Sequence, residues 1–173
     1  MTVEEIKAAI EVEGKQWTEL HEKHFAGLTD MEMIVLKGHL LVERLLTALL
    51  LHHCHTPAAL RKLDLSFYKQ MLLVKAMISP SFPDECWEWI ELINRLRNDI
   101  AHELEPPKLK ERLKKVRAIV EPHMRTAPDE FQSKFDTDED RVKVLISLCM
   151  AYLSTFDSIL RLQKKSENVS RGA

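Results

Sequence analysis

Apolar residues recur every three or four positions through most of this chain, and the breaks in that rhythm divide it into helices. From about Val3 to Phe25, Ile6, Ile10, Trp17 and Leu20 keep a loose helical spacing among charges, and Gly27 follows as a stop. Thr29-Asp30-Met31-Glu32 has the form of a capping box, with the Thr29 hydroxyl and the Glu32 carboxylate each satisfying a free backbone donor, so a second helix is predicted from there. Leu40, Leu41, Val42, Leu45, Leu46 and Leu49 to Leu51 make it apolar on nearly every side, as suits the central helix of a bundle, and it is expected to end near His55. Thr56-Pro57 opens a short segment to about Leu63, a helix from about Ser66 to Ile78 follows, and Ser79-Pro80-Ser81-Phe82-Pro83 breaks the chain.

From Asp84 to about Glu103 the positions Cys86, Trp89, Ile90, Ile93, Leu96 and Ile100 hold the helical period, until Pro106-Pro107 end it. A basic helix to about Met124 comes next, then a loop around Pro128. A long last helix is predicted from about Asp138 to Gln163, with Leu145, Leu148, Cys149, Tyr152 and Phe156 on its inner side. Residues 166–173 are expected to be a frayed, disordered tail. With no strand pattern and no glycine-rich phosphate loop, the expected architecture is all-α, a bundle of about five to seven helices in one domain over residues 1–173. Its core should lie within about 30–165, with the helix over 3–25 beside it.

Composition agrees with that reading: 45% hydrophobic and 30% charged residues with only four glycines suit packed helices better than a turn-rich β-sandwich. A formal charge of -2 gives the whole molecule no general attraction for nucleic-acid phosphates, so any affinity for RNA has to be local. Cys54, Cys86 and Cys149 are odd in number and sit in apolar helical surroundings, which marks them as reduced packing residues. The N-terminus lacks the basic and apolar regions of a secretory signal, and Lys37, His39, Glu43 and Arg44 interrupt the apolar run from Met31 to Leu51; a cytoplasmic, non-membrane protein is expected. His52-His53-Cys54-His55 has metal-ligand residue types, but neighbouring helical histidines point apart and His52 with His55 offers only two ligands. No metal or other cofactor is expected, and these histidines are assigned to the helix C-terminus and its dipole.

The chemistry that stands out is Arg97-Asn98-Asp99-Ile100-Ala101-His102. At about 100° per residue, Asn98 and His102 share a helix face, while Arg97 lies at the edge of the apolar stripe. A guanidinium held there without a partner would cost several kcal/mol, so it needs a carboxylate, a phosphate or a route to water. Glu43 is the candidate partner, set among Leu36, Leu46 and Leu50 on the second helix, with His39 one turn before it.

This hexapeptide, with a polar residue directly after its arginine, resembles the Arg-x4–6-His motif of HEPN-domain ribonucleases, and the helical context over roughly residues 30 to 165 is similar to theirs. RNA carries its own nucleophile, the 2′-hydroxyl, and needs a proton acceptor, a proton donor and a cation near the phosphorus. His102 and Arg97 are the expected catalytic pair, Asn98 orients His102 or the phosphate, and Glu43 and His39 support Arg97. Lys108, Lys110, Lys114 and Lys115 are candidates for contact with an RNA backbone. The resemblance implies a homodimer with motifs facing across a cleft, a 2′,3′-cyclic phosphate product, and a role as toxin or defence effector. HEPN toxins paired with nucleotidyltransferase antitoxins carry a tyrosine two residues after the histidine; here Leu104 occupies that place, so a protein antitoxin would act by covering the cleft. The rival expectation is a non-catalytic helical module that dimerises or binds a regulatory partner.

Overall fold

A computed structural model describes residues 3–77, 83–125 and 136–171, apart from the side chains of 3–6, 9, 10, 13 and 165–171. The Ile6 and Ile10 side chains, Ile78, the break before Pro83 and the loop around Pro128 are therefore not among what is described. Every element among those described is a helix: α1 (Val3–Phe25), α2 (Met31–His53), α3 (Pro57–Leu60), α4 (Phe67–Met77), α5 (Asp84–His102), α6 (Leu109–Arg125) and α7 (Asp138–Arg171). The all-α expectation holds.

The turn between α1 and α2 shows how local chemistry sets a boundary. Gly27 has φ of 69°, in the left-handed region that only glycine enters without strain, and the chain leaves α1 there. The cap of α2 is then Asp30, not Thr29: its carboxylate accepts from the Met33 backbone N–H at 2.7 Å. An ionised carboxylate gains from the helix dipole as well as from the hydrogen bond, an advantage a neutral hydroxyl one residue earlier does not have.

Helix α2 occupies the centre, with Ile34, Val42 and Leu46 wholly buried, and packs most heavily against α7. The two approach closely at Gly38, where an added Cβ would collide with the Ile146 side chain. Helix α1 lies on α7, α4 on α2 and α5, and α6 bridges α5 and α7. Side chains from α2, α4, α5, α6 and α7 merge into one core. Helix α7 is long and apolar enough to cross a membrane, yet half of its most apolar stretch is buried inside the bundle. Its backbone stays helical to Arg171, which corrects the expectation of a disordered tail after residue 165.

Two apolar assignments also change. Trp87, not Trp89, is the buried tryptophan of α5; Trp89 is half-buried and meets His123 and Tyr152 edge-on with centroids 5.5 and 5.6 Å apart. Leu40, on the helix expected to be buried all round, is 62% exposed.

Candidate functional site

Leu40 is exposed because α2 forms one wall of a groove of about 690 Å³, closed by the start of α4 and the middle of α5. Its apolar lining includes Leu36, Leu40, Phe67 and Tyr68. Its polar lining includes His39 and Glu43 from α2 and Asn94, Arg97 and Asn98 from α5. The helical period explains the gathering: His39 and Glu43 are four apart on α2, as are Asn94 and Asn98 on α5, so each pair projects from one face.

His39 is 8% exposed and rigidly held. Its ring stacks on Phe67 with centroids 4.2 Å apart, and Nε2 lies 3.2 Å from Asn94 Oδ1. With an amide oxygen facing it, Nε2 carries the proton and donates, leaving Nδ1 as the acceptor nitrogen of a neutral ring. Burial pushes the His39 pKa below the usual histidine value; the bond to Asn94 opposes this, and the Arg97 charge adds to it.

Glu43 shifts the opposite way. Its removal from water raises its pKa, and the nearby Arg97 charge only partly offsets the rise. The expected ion pair between the two is not formed as a direct contact among the described residues. Instead, Arg97, half-buried, donates from Nη1 to Asn98 Oδ1 at 3.2 Å, its only hydrogen bond to a described residue. A guanidinium carries five N–H donors, so Arg97 presents unshared donors to the groove, beside a carboxyl group that burial biases toward neutrality.

His102 is placed differently. It is the last residue of α5, exposed, one turn beyond Asn98 on the same face, and it is not part of the groove lining. The helix end that carries it is anchored by Asp99, which accepts from Arg112 Nε of α6 at 3.2 Å with both side chains largely buried. Sequence reasoning had no role for Asp99 and left Arg112 among the basic residues after the motif. The readable signal was the turn forced by Pro106-Pro107, which folds the basic helix back along α5. Lys108, Lys110, Lys114 and Lys115 are exposed on that returning segment, with Lys115 sharing its charge with Glu111 at 2.7 Å.

Two other clusters have chemistry-bearing residues. Between α1 and α7, Ser147 Oγ lies 2.9 Å from His21 Nε2, but the hydroxyl also donates to the Lys143 carbonyl at 2.9 Å. It therefore accepts from the imidazole and is not activated as a nucleophile. At the end of α2, His52 Nδ1 and His53 Nε2 lie 2.9 and 3.1 Å from the buried Asp157 carboxylate of α7. These neighbouring histidines converge on one carboxylate instead of pointing apart, and they tie the end of α2 to α7. All three cysteines are free; burial pushes the Cys86 thiol up to about 11 and the Cys149 thiol well above its usual value, so neither is a reactive thiolate near neutral pH.

Fold and groove together define an all-α bundle with an arginine, a buried histidine, a glutamate and two amides converging on one open cleft. No protein-family model, curated protein or solved structure matches the chain.

Proposed function

We propose that the protein is a HEPN-type endoribonuclease that cleaves RNA by attack of the 2′-hydroxyl on the adjacent phosphorus. The observation that carries this reading is Arg97 in the groove with donors that no described residue occupies, which suits a phosphate oxygen pair. In the reaction a base takes the 2′-hydroxyl proton as the 2′-oxygen bonds to phosphorus, and an acid returns a proton to the departing 5′-oxygen. A 2′,3′-cyclic phosphate and a 5′-hydroxyl end result, with no metal needed for either proton transfer. Arg97 stabilises the charge on the phosphorane, Asn98 holds Arg97, and His102 is the proton-transfer group. Because His102 sits outside the groove of its own chain, the proposal includes a second copy whose His102 completes the site. Exposed lysines on α6 favour the path of an RNA backbone past the end of α5.

The test is RNA cleavage in EDTA with analysis of the 3′ ends. Arg97→Ala and His102→Ala should each lower the rate by roughly 100-fold or more, in line with loss of a charge-stabilising or acid–base group. Cleavage that survives both changes, or lacks cyclic phosphate ends, sinks the reading.

One observation favours the rival. The position of His102 outside the groove also fits a non-catalytic helical module in which the groove only binds a partner. Complete absence of cleavage alongside intact folding and dimerisation would decide for it.

A further inference from the structure

The groove contains more than a phosphate grip requires. Beside Arg97 stands an apolar wall in which Leu40 is 62% and Tyr68 46% exposed, so two large side chains face the groove on the side of the guanidinium. Tyr68 makes no hydrogen bond or ring contact with another described residue. Phe67, its neighbour, is buried under His39 and fixes the start of α4, so the Tyr68 ring is carried on a rigid base. The volume falls in the range typical of small-molecule sites, about 300–1,000 Å³.

From these features we infer that the groove is a subsite for one unstacked nucleotide, with its base against Tyr68 and Leu40 and its 3′-phosphate on Arg97; this rests on the ribonuclease reading and names its substrate as unpaired RNA. Charge selects the ligand's anionic end. Arg97 lines the groove with a planar fork of donors, of which only Nη1 bonds to a described residue. The exposed aromatic ring selects the other end, because every nucleobase presents a face that stacks on tyrosine. A base within a duplex is stacked and paired on both sides and cannot enter a one-base groove without leaving its helix, so single-stranded segments are the substrate class.

The experiment measures binding of adenosine and uridine 3′-monophosphate to the intact protein by calorimetry, with inorganic phosphate and an aspartate-rich peptide as comparison ligands. Cleavage of a single-stranded oligoribonucleotide and of its duplex is assayed in parallel. Both nucleotides should bind more tightly than inorganic phosphate. Tyr68→Ala should weaken nucleotide binding by roughly five-fold or more, the scale of one lost base stack, while Tyr68→Phe stays near wild type. Because Tyr68 is exposed, the alanine variant is expected to fold, and its circular dichroism and melting check this. Equal binding by wild type and Tyr68→Ala overturns the subsite, as does an acidic peptide that binds as tightly as the nucleotides. His102-dependent cleavage with unchanged Tyr68→Ala kinetics leaves the ribonuclease reading standing without the subsite. Tyr68-dependent nucleotide binding with no cleavage does the reverse.

Discussion

His39 and Glu43 share a groove wall, yet burial moves their protonation equilibria in opposite directions, and each shift has a consequence for stability. The folded pKa of His39 lies below its unfolded value near 6.5, as does that of His21, both lowered first by burial. The neutral rings are thus favoured in the fold, and their contribution is present above pH 6.5 and lost as pH falls through the lowered values. Urea unfolding should show stability declining from pH 7 toward pH 5. His39→Gln and His21→Gln should each flatten that slope whatever they do to its level. A slope unchanged in both variants would show that the imidazoles are not buried neutral. Glu43 has its pKa raised, so its contribution is greatest below 4.5 and is lost as pH rises through the folded value. At pH 7 it works against folding, and Glu43→Gln should raise the melting temperature. A lower melting temperature would mean that an ion pair with Arg97 outweighs desolvation. The sequence showed that Arg97 lies at the edge of the buried stripe and that Glu43 and His39 share its neighbourhood. Whether carboxylate and guanidinium touch, or stand apart across a cleft, depends on separations that no helical wheel contains.

Among the elements, α2 best shows which features a one-dimensional pattern captures and which it misses. Its length, its central place and most of its buried face follow from the leucine spacing. The exposure of Leu40 does not, because it depends on where α4 begins and how much of α2 that helix leaves uncovered. The Asp99–Arg112 contact was hidden for a similar reason, since it joins two helices across a turn whose angle is set by the Pro106-Pro107 region. Gly38 was equally silent, being an inconspicuous residue in an apolar run, yet the approach of α2 to α7 depends on its missing side chain. Gly38→Ala improves helix propensity and should nevertheless destabilise the protein by about 1–3 kcal/mol, the usual cost of overpacking a full core. Ile146→Val removes the methyl group nearest the new Cβ. The double variant should therefore lose less stability in urea than the two single changes add up to, because the residues are in direct contact. Additive losses would show that α2 and α7 can shift apart freely at this point.

For the whole molecule the separation of Arg97 from His102 matters most. Within one chain the arginine faces the groove and the histidine stands beyond it at the end of α5, held there through Asp99. If the proposed cleavage uses both, the groove of one protomer has to meet the histidine of its partner, and a symmetric dimer then holds two such composite sites. Arg97→Ala and His102→Ala proteins, each inactive alone, provide the test when unfolded and refolded together in equal amounts. Random pairing places about half of the chains in mixed dimers, and each mixed dimer retains one intact site of two, so activity should recover to roughly a quarter of wild type. Self-contained sites predict no recovery, since no chain in the mixture has both groups. A shared site that needs both histidines at once also predicts none, but differs in a second measurement: wild type refolded with excess His102→Ala then loses activity as the square of the wild-type fraction. With one histidine per site, activity falls only in proportion to that fraction, because both chain types keep Arg97 and every wild-type histidine therefore still meets an intact groove on whichever partner it pairs with.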